Sequence, residues 1–533
     1  MRTVLVLVSL CLAVTPALGD EFSDALEGLG SKSRKQIQAS IAELAELGDA
    51  RAVPALAALL DRRLRVDEEG RLYILDEEGD SLREALGGAA SGLDPGDLRK
   101  PRINNAVRRA AKPVLGRLQL ASPDVEVRRS AAEELRKRPP KGGEVFLREA
   151  LARESDAEVH AKLGNALAQL ELASDDPALR REAVLLIGEL EDRDLAAELR
   201  ALLERDEQGD YAEPDPGVRE AAEHALAAIE RAEIFRAAVG HFFYGLSLAS
   251  ILLLAALGLA ITFGLMGVIN MAHGEMLMLG AYSTVVVQRL FAEYLPAWFD
   301  WYMLAAIPAA FVVTGLVGML LERGVIRFLY GRPLETLLAT WGISLLLIQS
   351  VRLIFGAQNV EVANPAWLSG GFEIVQGIVL PYSRIAITFF AVAVVGLVWW
   401  LLQRTVLGLR VRAVTQNREI AGCVGVSTAR VDMWTFALGS AIGGLGGVAL
   451  SQVGNVGPEL GRLYIVDCFM VVVLGGVGKI AGTVVAATGL GVVNKFLEPV
   501  SGAVLGKILV LVFVILFIQR RPEGIFALRV RSA

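Results

Sequence analysis

Residues 388–450 read "TFFAVAVVGLVWWLLQRTVLGLRVRAVTQNREIAGCVGVSTARVDMWTFALGSAIGGLGGVAL", and this stretch decides the class of the protein. Two apolar segments, 383–403 and 433–453, flank a polar connection. Each segment has about the 20 residues that cross a bilayer core. The stretch therefore predicts two membrane-spanning helices joined by a long basic loop. Its arginines are Arg404, Arg410, Arg412, Arg418 and Arg430.

The 533-residue chain changes composition near residue 240. Residues 1–240 hold 34 Lys and Arg against 46 Asp and Glu, a net charge of −12. Residues 241–533 hold 19 and 13, a net charge of +6, and their charges cluster between apolar segments. The sequence thus predicts a soluble part followed by a membrane part, and the overall charge of −6 says little about partners.

The N-terminus, "MRTVLVLVSLCLAVTPALGDE", has an early arginine, a short apolar run and small residues before Asp20. This pattern predicts a secretory signal peptide over residues 1–19, cut after Gly19, and the alternative of a membrane anchor would need a longer apolar run. Residues 20–236 are then exported. They contain no cysteine, so a disulfide framework is excluded there.

The exported segment is rich in Ala, Leu, Glu and Arg with apolar residues three and four apart, which predicts helices. Four stretches share a pattern that begins with Asp, a favourable N-cap residue, and places Arg or His at the fifth position. We interpret 20–236 as a degenerate HEAT-like, α-solenoid-like domain that binds other proteins, interrupted by a hairpin at 62–78. The stretches are "DVEVRRSAAEEL" (124–135), "DAEVHAKLGNAL" (156–167), "DPALRREAVLLI" (176–187) and "DPGVREAAEHAL" (215–226).

Residues 237–533 are predicted to form an all-α polytopic domain of about eight to nine spans. The evidence for a span is weakest at segments 271–291 and 481–497, and the alternative for either is a re-entrant segment. If the soluble domain lies outside, the loops assigned to the cytoplasm carry 13 Lys and Arg and the outer loops only Arg462. This asymmetry predicts a periplasmic N-terminal domain and a cytoplasmic C-terminus in a bacterial inner membrane. The segments are 242–269, 271–291, 301–321, 335–356, 383–403, 433–453, 463–478, 481–497 and 503–519.

The basic loop contains a predicted short helix. Asn417 can cap it, Glu419 suits the positive end of the helix dipole, and Gly425 is a stop signal. Its apolar residues, predicted to form one face, are Ile420, Ala421 and Val424. A helix this short is unstable alone, so the face predicts docking on a partner, whereas anchoring of the arginines to anionic lipid is the alternative.

The loop, "GLMGVINMAHGEMLMLGAY", "VVVLGGVGKIAGT" and the tail "RRPEGIFAL" resemble permease subunits of branched-chain amino acid type ABC importers. Within that group, longer runs such as "SQVGNVGPELGRLYIVDCFMVVVLGGVGKIAGTVVA" and the exported extension are most similar to urea importer permeases. The resemblance covers about residues 240–530. It implies a second related permease, two cytoplasmic ATPases and a periplasmic binding protein as partners, and it makes 417–425 the helix that couples to an ATPase.

Polar groups within apolar segments are costly and are therefore functional candidates. We predict a translocation path lined by Asn270, His273, Glu275, Gln349 and Asp467, while an alternative for the first three is that they fix a broken helix. The motif "GGVGK" lacks the Ser or Thr of a phosphate loop. Gly439, Gly443 and Gly447 recur every four residues, which predicts close helix packing.

No catalytic constellation, metal site, cofactor site or nucleic-acid surface is indicated by the sequence. The preferred function is a non-enzymatic importer permease, and the resemblance implies urea as its substrate. Import of branched-chain amino acids or short amides is an alternative of the same class. The path distinguishes the two, because a zwitterion needs charged partners near the bilayer centre and a neutral diamide does not. A membrane sensor or scaffold with a protein-binding repeat domain is an alternative from another class.

Overall fold

A computed structural model describes residues 15–76, 81–86, 90–91, 93–375 and 378–526. Most of the predicted signal peptide and the last seven residues lie outside the described residues, so the proposed cut after Gly19 stays a prediction. The chain separates into two compact units, Met1–Glu233 (unit 1) and Ile234–Ala533 (unit 2). Both are mainly helical.

Unit 1 is built from amphipathic helices whose apolar stripes form several small cores. A short 3-10 turn, Ala50–Ala52, precedes its third helix. The helices are α1 (Thr15–Gly28), α2 (Arg34–Leu47), α3 (Val53–Leu60), α4 (Asn105–Leu120), α5 (Val125–Lys137), α6 (Glu144–Arg153), α7 (Ala157–Glu171), α8 (Pro177–Leu190), α9 (Ala196–Leu202) and the start of α10 (Pro216–Met266).

The predicted N-caps of the repeats are confirmed. Side-chain oxygens of Asp124, Asp156, Asp176 and Asp215 accept hydrogen bonds from backbone N–H groups two or three residues further on, at 2.8–3.1 Å. The arginine at the fifth position also has a repeated role. In three of the repeats its Nη1 donates to two carbonyl oxygens five and six residues upstream, which ties each helix to its preceding turn; these arginines are Arg128, Arg180 and Arg219.

The expectation of an all-α protein is wrong in part. The predicted hairpin at 62–78 is confirmed by antiparallel pairing of Leu64 with Ile74, and two more strands extend it to a sheet of order β1-β2-β3-β4. All three residues of β1 are buried, and Leu64 and Val66 pack in one core with Leu72 of β2, so the sheet is held by apolar side chains that are shielded from water. Its strands are β1 (Leu64–Val66), β2 (Leu72–Leu75), β3 (Leu82–Glu84) and β4 (Ala90–Ser91).

Unit 2 contains the rest of α10 and long apolar helices that follow the predicted segments within several residues. A second hairpin, β5 (Gly371–Val375) with β6 (Ile378–Pro381), lies in the connection before α14, where no strand was predicted. The helices are α11 (His273–Tyr294), α12 (Tyr302–Gly324), α13 (Pro333–Phe355), α14 (Tyr382–Arg404), α15 (Val406–Gln416), α16 (Arg418–Cys423), α17 (Thr428–Ser451), α18 (Leu460–Gly475) and α19 (Ile480–Arg520).

Six helices among the described residues are long and apolar enough to cross a membrane: α10, α12, α13, α14, α17 and α19. Helix α18, with 16 residues, is shorter than the roughly 20 that a bilayer requires. The predicted segments 481–497 and 503–519 form one element, α19, which is interrupted by non-helical Gly502 with φ 76°, three residues after Pro499. A glycine is required there because side chains disfavour that conformation.

Close helix approach at glycines brings α10, α11 and α17 together. A Cβ on Gly439 would lie 2.6 Å from a Thr262 methyl carbon, and one on Gly443 would lie 2.9 Å from the His273 ring. A Cβ on Gly447 would overlap the Leu277 carbonyl oxygen. The glycines predicted to mediate helix packing thus lie at backbone-close contacts, and they hold the segment between α10 and α11 deep in unit 2.

Candidate functional site

The chain leaves helical conformation between α10 and α11, and the buried side chains that hold this break form what we call the break cluster. His273 Nε2 lies 2.8 Å from the Ala255 carbonyl oxygen and donates to it, since a carbonyl only accepts. Asn270 Oδ1 accepts from the Ala272 N–H at 3.0 Å. Glu275 Oε1 accepts from the Ser344 hydroxyl at 2.9 Å. These bonds account for the shape of the break.

The same three side chains are no more than 1% exposed, so in the single chain they do not face an open passage. Among the described residues, one polar atom of each has no hydrogen-bond partner: Asn270 Nδ2, His273 Nδ1 and Glu275 Oε2. Helix α13 supports the break from outside, because the Thr340 hydroxyl accepts from the Met271 N–H at 3.1 Å. The geometry favours the alternative in which these residues position a broken helix.

The other two predicted path residues lie elsewhere. Gln349 is exposed on α13. Asp467 on α18 is 8% exposed and its Oδ2 accepts from Lys507 Nζ of α19 at 3.2 Å, an ion pair that we call the kink pair because it lies just beyond Gly502. The adjoining cavity has a volume of only about 10 Å³, room for about one water.

The predicted short helix in the basic loop is confirmed as α16. Asn417 Oδ1 accepts from the Ile420 N–H at 2.9 Å. The end is a Schellman arrangement, in which the Val426 N–H donates to the Ala421 carbonyl and Gly425 takes a φ of 89°. Local chemistry therefore begins and ends this helix at the predicted residues.

The prediction that Ile420, Ala421 and Val424 share one face needs correction. Ala421 is 3% exposed and packs with Val411, Val414 and Val431 in a small core of the loop itself. Ile420 and Val424 are 60% and 73% exposed. Because successive helical residues differ by about 100°, positions four apart share a face and Ala421 turns inward. The exposed apolar surface is thus Ile420 with Val424, which we call the apolar pair.

Arg418, the first residue of α16, ties the short helix to the membrane helices. Its guanidinium forms a two-nitrogen salt bridge with Asp432 of α17, whose side chain is 3% exposed. It also lies 4.7 Å from the centre of the Tyr330 ring. The Tyr330 hydroxyl donates to Glu322 Oε1 of α12 at 3.4 Å. Arg418 is therefore a structural link between α16, α17 and α12 as well as a loop cation.

Comparison with known proteins agrees with this architecture. A family profile described as "Branched-chain amino acid transport system / permease component" matches residues 241–518. The chain belongs to this family. The permease is thus a membrane transport component rather than an enzyme, and such importers require an ATPase and a substrate-binding partner.

Named relatives match about half of the chain or less. The high-affinity branched-chain amino acid transport system permease protein BraD of Pseudomonas aeruginosa is 31% identical over 287 residues, 53% of this chain and 93% of that protein. The corresponding protein LivH of Salmonella typhimurium is 28% identical over 292 residues, with the same coverage. The autoinducer 2 import system permease protein LsrD of Yersinia enterocolitica is 28% identical over 228 residues, 40% of this chain and 67% of that protein.

Sequence reasoning missed the partners of the predicted residues. Thr336, Thr340 and Ser344 are buried at four-residue spacing along α13, so a polar stripe within an apolar segment was a readable signal. Lys507 lies inside the predicted span 503–519 and was overlooked. A charge within a membrane span is costly, so its presence was a signal of a functional or paired residue. Asp432 and Tyr330 carried no such signal, because each lies near a predicted helix end where polar groups are ordinary.

Proposed function

We propose that this permease is a subunit of a urea importer and that α16 transmits the motion of a cytoplasmic ATPase to it. The runs quoted from the sequence support urea by resemblance. The kink pair supports a neutral substrate, because Asp467 and Lys507 satisfy each other and leave neither charge free for a zwitterion. Urea offers amide donors and one acceptor oxygen, which suit amide, hydroxyl and backbone groups.

The observation that carries the coupling proposal is the apolar pair on a helix with both ends satisfied. Ile420 and Val424 are exposed on either side of the buried Ala421, and Val406 and Leu409 of α15 in the same loop are exposed as well. Burial of one such side chain stabilises a complex by about 1.5–3 kcal/mol. A partner that covers both would be held by them. Anchoring of the arginines to anionic lipid does not account for this exposed apolar pair. It also does not account for Arg418, whose guanidinium is bound to Asp432 rather than free to contact lipid.

The proposed orientation places unit 1 in the periplasm as a HEAT-like repeat domain and α16 in the cytoplasm. Its support is the loop charge asymmetry and the signal-like N-terminus. The full proposal includes a second related permease, two ATPases and a periplasmic binding protein. In this arrangement Gln349, exposed on α13, is available to line a path between the two permeases.

Substitution of the apolar pair tests the coupling proposal. In the double variant Ile420→Asp with Val424→Asp, we expect normal insertion and amount of permease, since both side chains are exposed, together with loss of bound ATPase. The matched control, Gln416→Asp with Ala429→Asp, adds the same charge at exposed positions of the same loop and should retain ATPase. If equal amounts of ATPase copurify with both variants, the apolar pair does not bind the ATPase, and anchoring of the loop to anionic lipid is the supported alternative.

A second candidate function, import of branched-chain amino acids, is favoured by the names of two relatives, BraD and LivH. Uptake of labelled urea and labelled leucine by cells that carry the complete importer separates the two. We expect ATP-dependent urea uptake that excess leucine does not compete. Leucine uptake without urea uptake would replace the first proposal with the second.

A further inference from the structure

Unit 1 contains a cavity surrounded by positive charge. Its volume is about 290 Å³, and Arg34, Arg62, Lys100 and Arg102 line it together with apolar side chains. No described lining residue carries a carboxylate. All four cations are exposed, and within the described parts of the chain none forms an ion pair. This is unexpected in a segment whose net charge is −12 over residues 1–240.

A second cavity of unit 1 shows the ordinary arrangement. It has a volume of about 480 Å³, and two of its three lining cations face carboxylates. Arg128 Nε lies 2.9 Å from Glu154 Oε2, and Arg153 lies 3.8 Å from Glu149. Carboxylates of the described residues therefore neutralise most of the positive charge at the larger cavity, whereas the smaller one has none in its lining.

Two of the cations occupy positions that cost stability. Arg34 is the first residue of α2, where the helix dipole favours a negative charge and disfavours a positive one. Arg62 has a φ of 62°, a left-handed conformation that non-glycine residues rarely adopt. This conformation ends α3, because the Arg63 N–H donates to the Ala58 carbonyl oxygen at 2.7 Å, and a glycine would adopt it at lower cost than an arginine. A bound anion would offset both the repulsion and the unfavourable dipole interaction.

We propose that this cavity, which we name the cationic cavity, binds a phosphate ester that carries two negative charges. Guanidinium groups hold phosphate oxygens by paired hydrogen bonds, and three of the four cations are arginines. The apolar lining, including Leu59 and Ile103, suits the organic part of the ester. The volume lies at the lower end of small-molecule sites. Either a soluble phosphate ester or a phospholipid headgroup presents this chemistry.

Calorimetric titration of the purified full-length chain in neutral detergent tests the proposal and its source. The probes are glycerol 3-phosphate and dihexanoyl phosphatidic acid. Binding of the first probe supports a soluble ester, and binding of the second alone supports a headgroup. We expect Arg62→Gln with Lys100→Gln to weaken binding about tenfold or more, because each charged hydrogen bond is worth a substantial factor. Absence of binding of both probes to the unaltered chain would overturn the proposal.

The matched control is Arg117→Gln with Arg153→Gln, which removes the same charge at the larger cavity and should bind like the unaltered chain. Equal weakening in both variants would indicate non-specific attraction and contradict a site. A further variant, Arg62→Gly, removes one cation together with the backbone strain. We expect its thermal unfolding midpoint to be no lower than that of the unaltered chain while probe affinity falls. Retained affinity would contradict a role for Arg62.

Discussion

The link from Arg418 to Asp432 is open to a quantitative test. Arg418→Met keeps an apolar stem of similar length but removes the charge that neutralises Asp432. Removal of one partner of a fully buried pair costs about 3–5 kcal/mol, and exposed pairs are worth about 0–1 kcal/mol. Asp432 is buried and the Arg418 side chain is 46% exposed, so an intermediate cost of about 2 kcal/mol is expected.

A loss of about 2 kcal/mol corresponds to about a thirtyfold change in the equilibrium between docked and detached α16. Amide hydrogen exchange of the purified permease measures this directly, because the Ala421 and Val426 N–H groups donate within the loop. Their protection should fall about thirtyfold in Arg418→Met, while amides in the centre of α17 keep theirs.

Two further variants isolate the ion pair. Arg410→Met removes an exposed loop cation and should leave the exchange of α16 unchanged. Asp432→Asn combined with Arg418→Met should recover part of the protection, because the carboxylate is then no longer left buried without its partner. Equal exchange in Arg418→Met and Arg410→Met would refute the argument that Arg418 holds the short helix.

The remaining predictions concern topology, modularity and pH. An impermeant maleimide should label the exposed native Cys423 only in inverted vesicles and a cysteine at Asp175 only in intact cells, and labelling of both from one side would contradict the orientation. Deletion of residues 30–230 should leave a permease that still inserts, as measured by membrane fractionation; failure to insert would make the repeats part of the membrane fold. A hydrogen bond from Arg136 lowers the pKa of Glu133 from 4.5 to about 2, so the stability it contributes is present above pH 4.5 and is lost as the pH falls towards 2. Circular dichroism should show a smaller acid loss of stability in Glu133→Gln than in the unaltered chain, and equal losses would count against this pair.

Local signals in the sequence were sufficient where neighbours along the chain determine the structure. The caps at Asn417 and Gly425 and the repeat caps such as Asp156 depend on backbone groups within a few residues, and they were predicted correctly. The orientation of Ala421 was not, because a six-residue helix presents apolar positions on two sides and only its contact with Val411 decides which side is buried.

Sequence patterns did not identify contacts between residues that are far apart along the chain. Glu275 meets Ser344 across 69 residues, and Asp467 meets Lys507 across 40. The residue types of the break cluster marked it as unusual, yet their burial depends on how α11, α13 and α17 pack. The kink at Gly502 was read as a gap between two segments, since a glycine between apolar runs does not itself distinguish a break from a turn.

Urea transport and coupling through α16 are tested together by ATP hydrolysis in the importer reconstituted from this permease, its related permease, two ATPases and the binding protein. We expect that urea-loaded binding protein stimulates hydrolysis, that leucine does not, and that Ile420→Asp with Val424→Asp abolishes the stimulation. Stimulation by leucine alone would contradict urea as the substrate. Full urea stimulation in the double variant would contradict α16 as the coupling element.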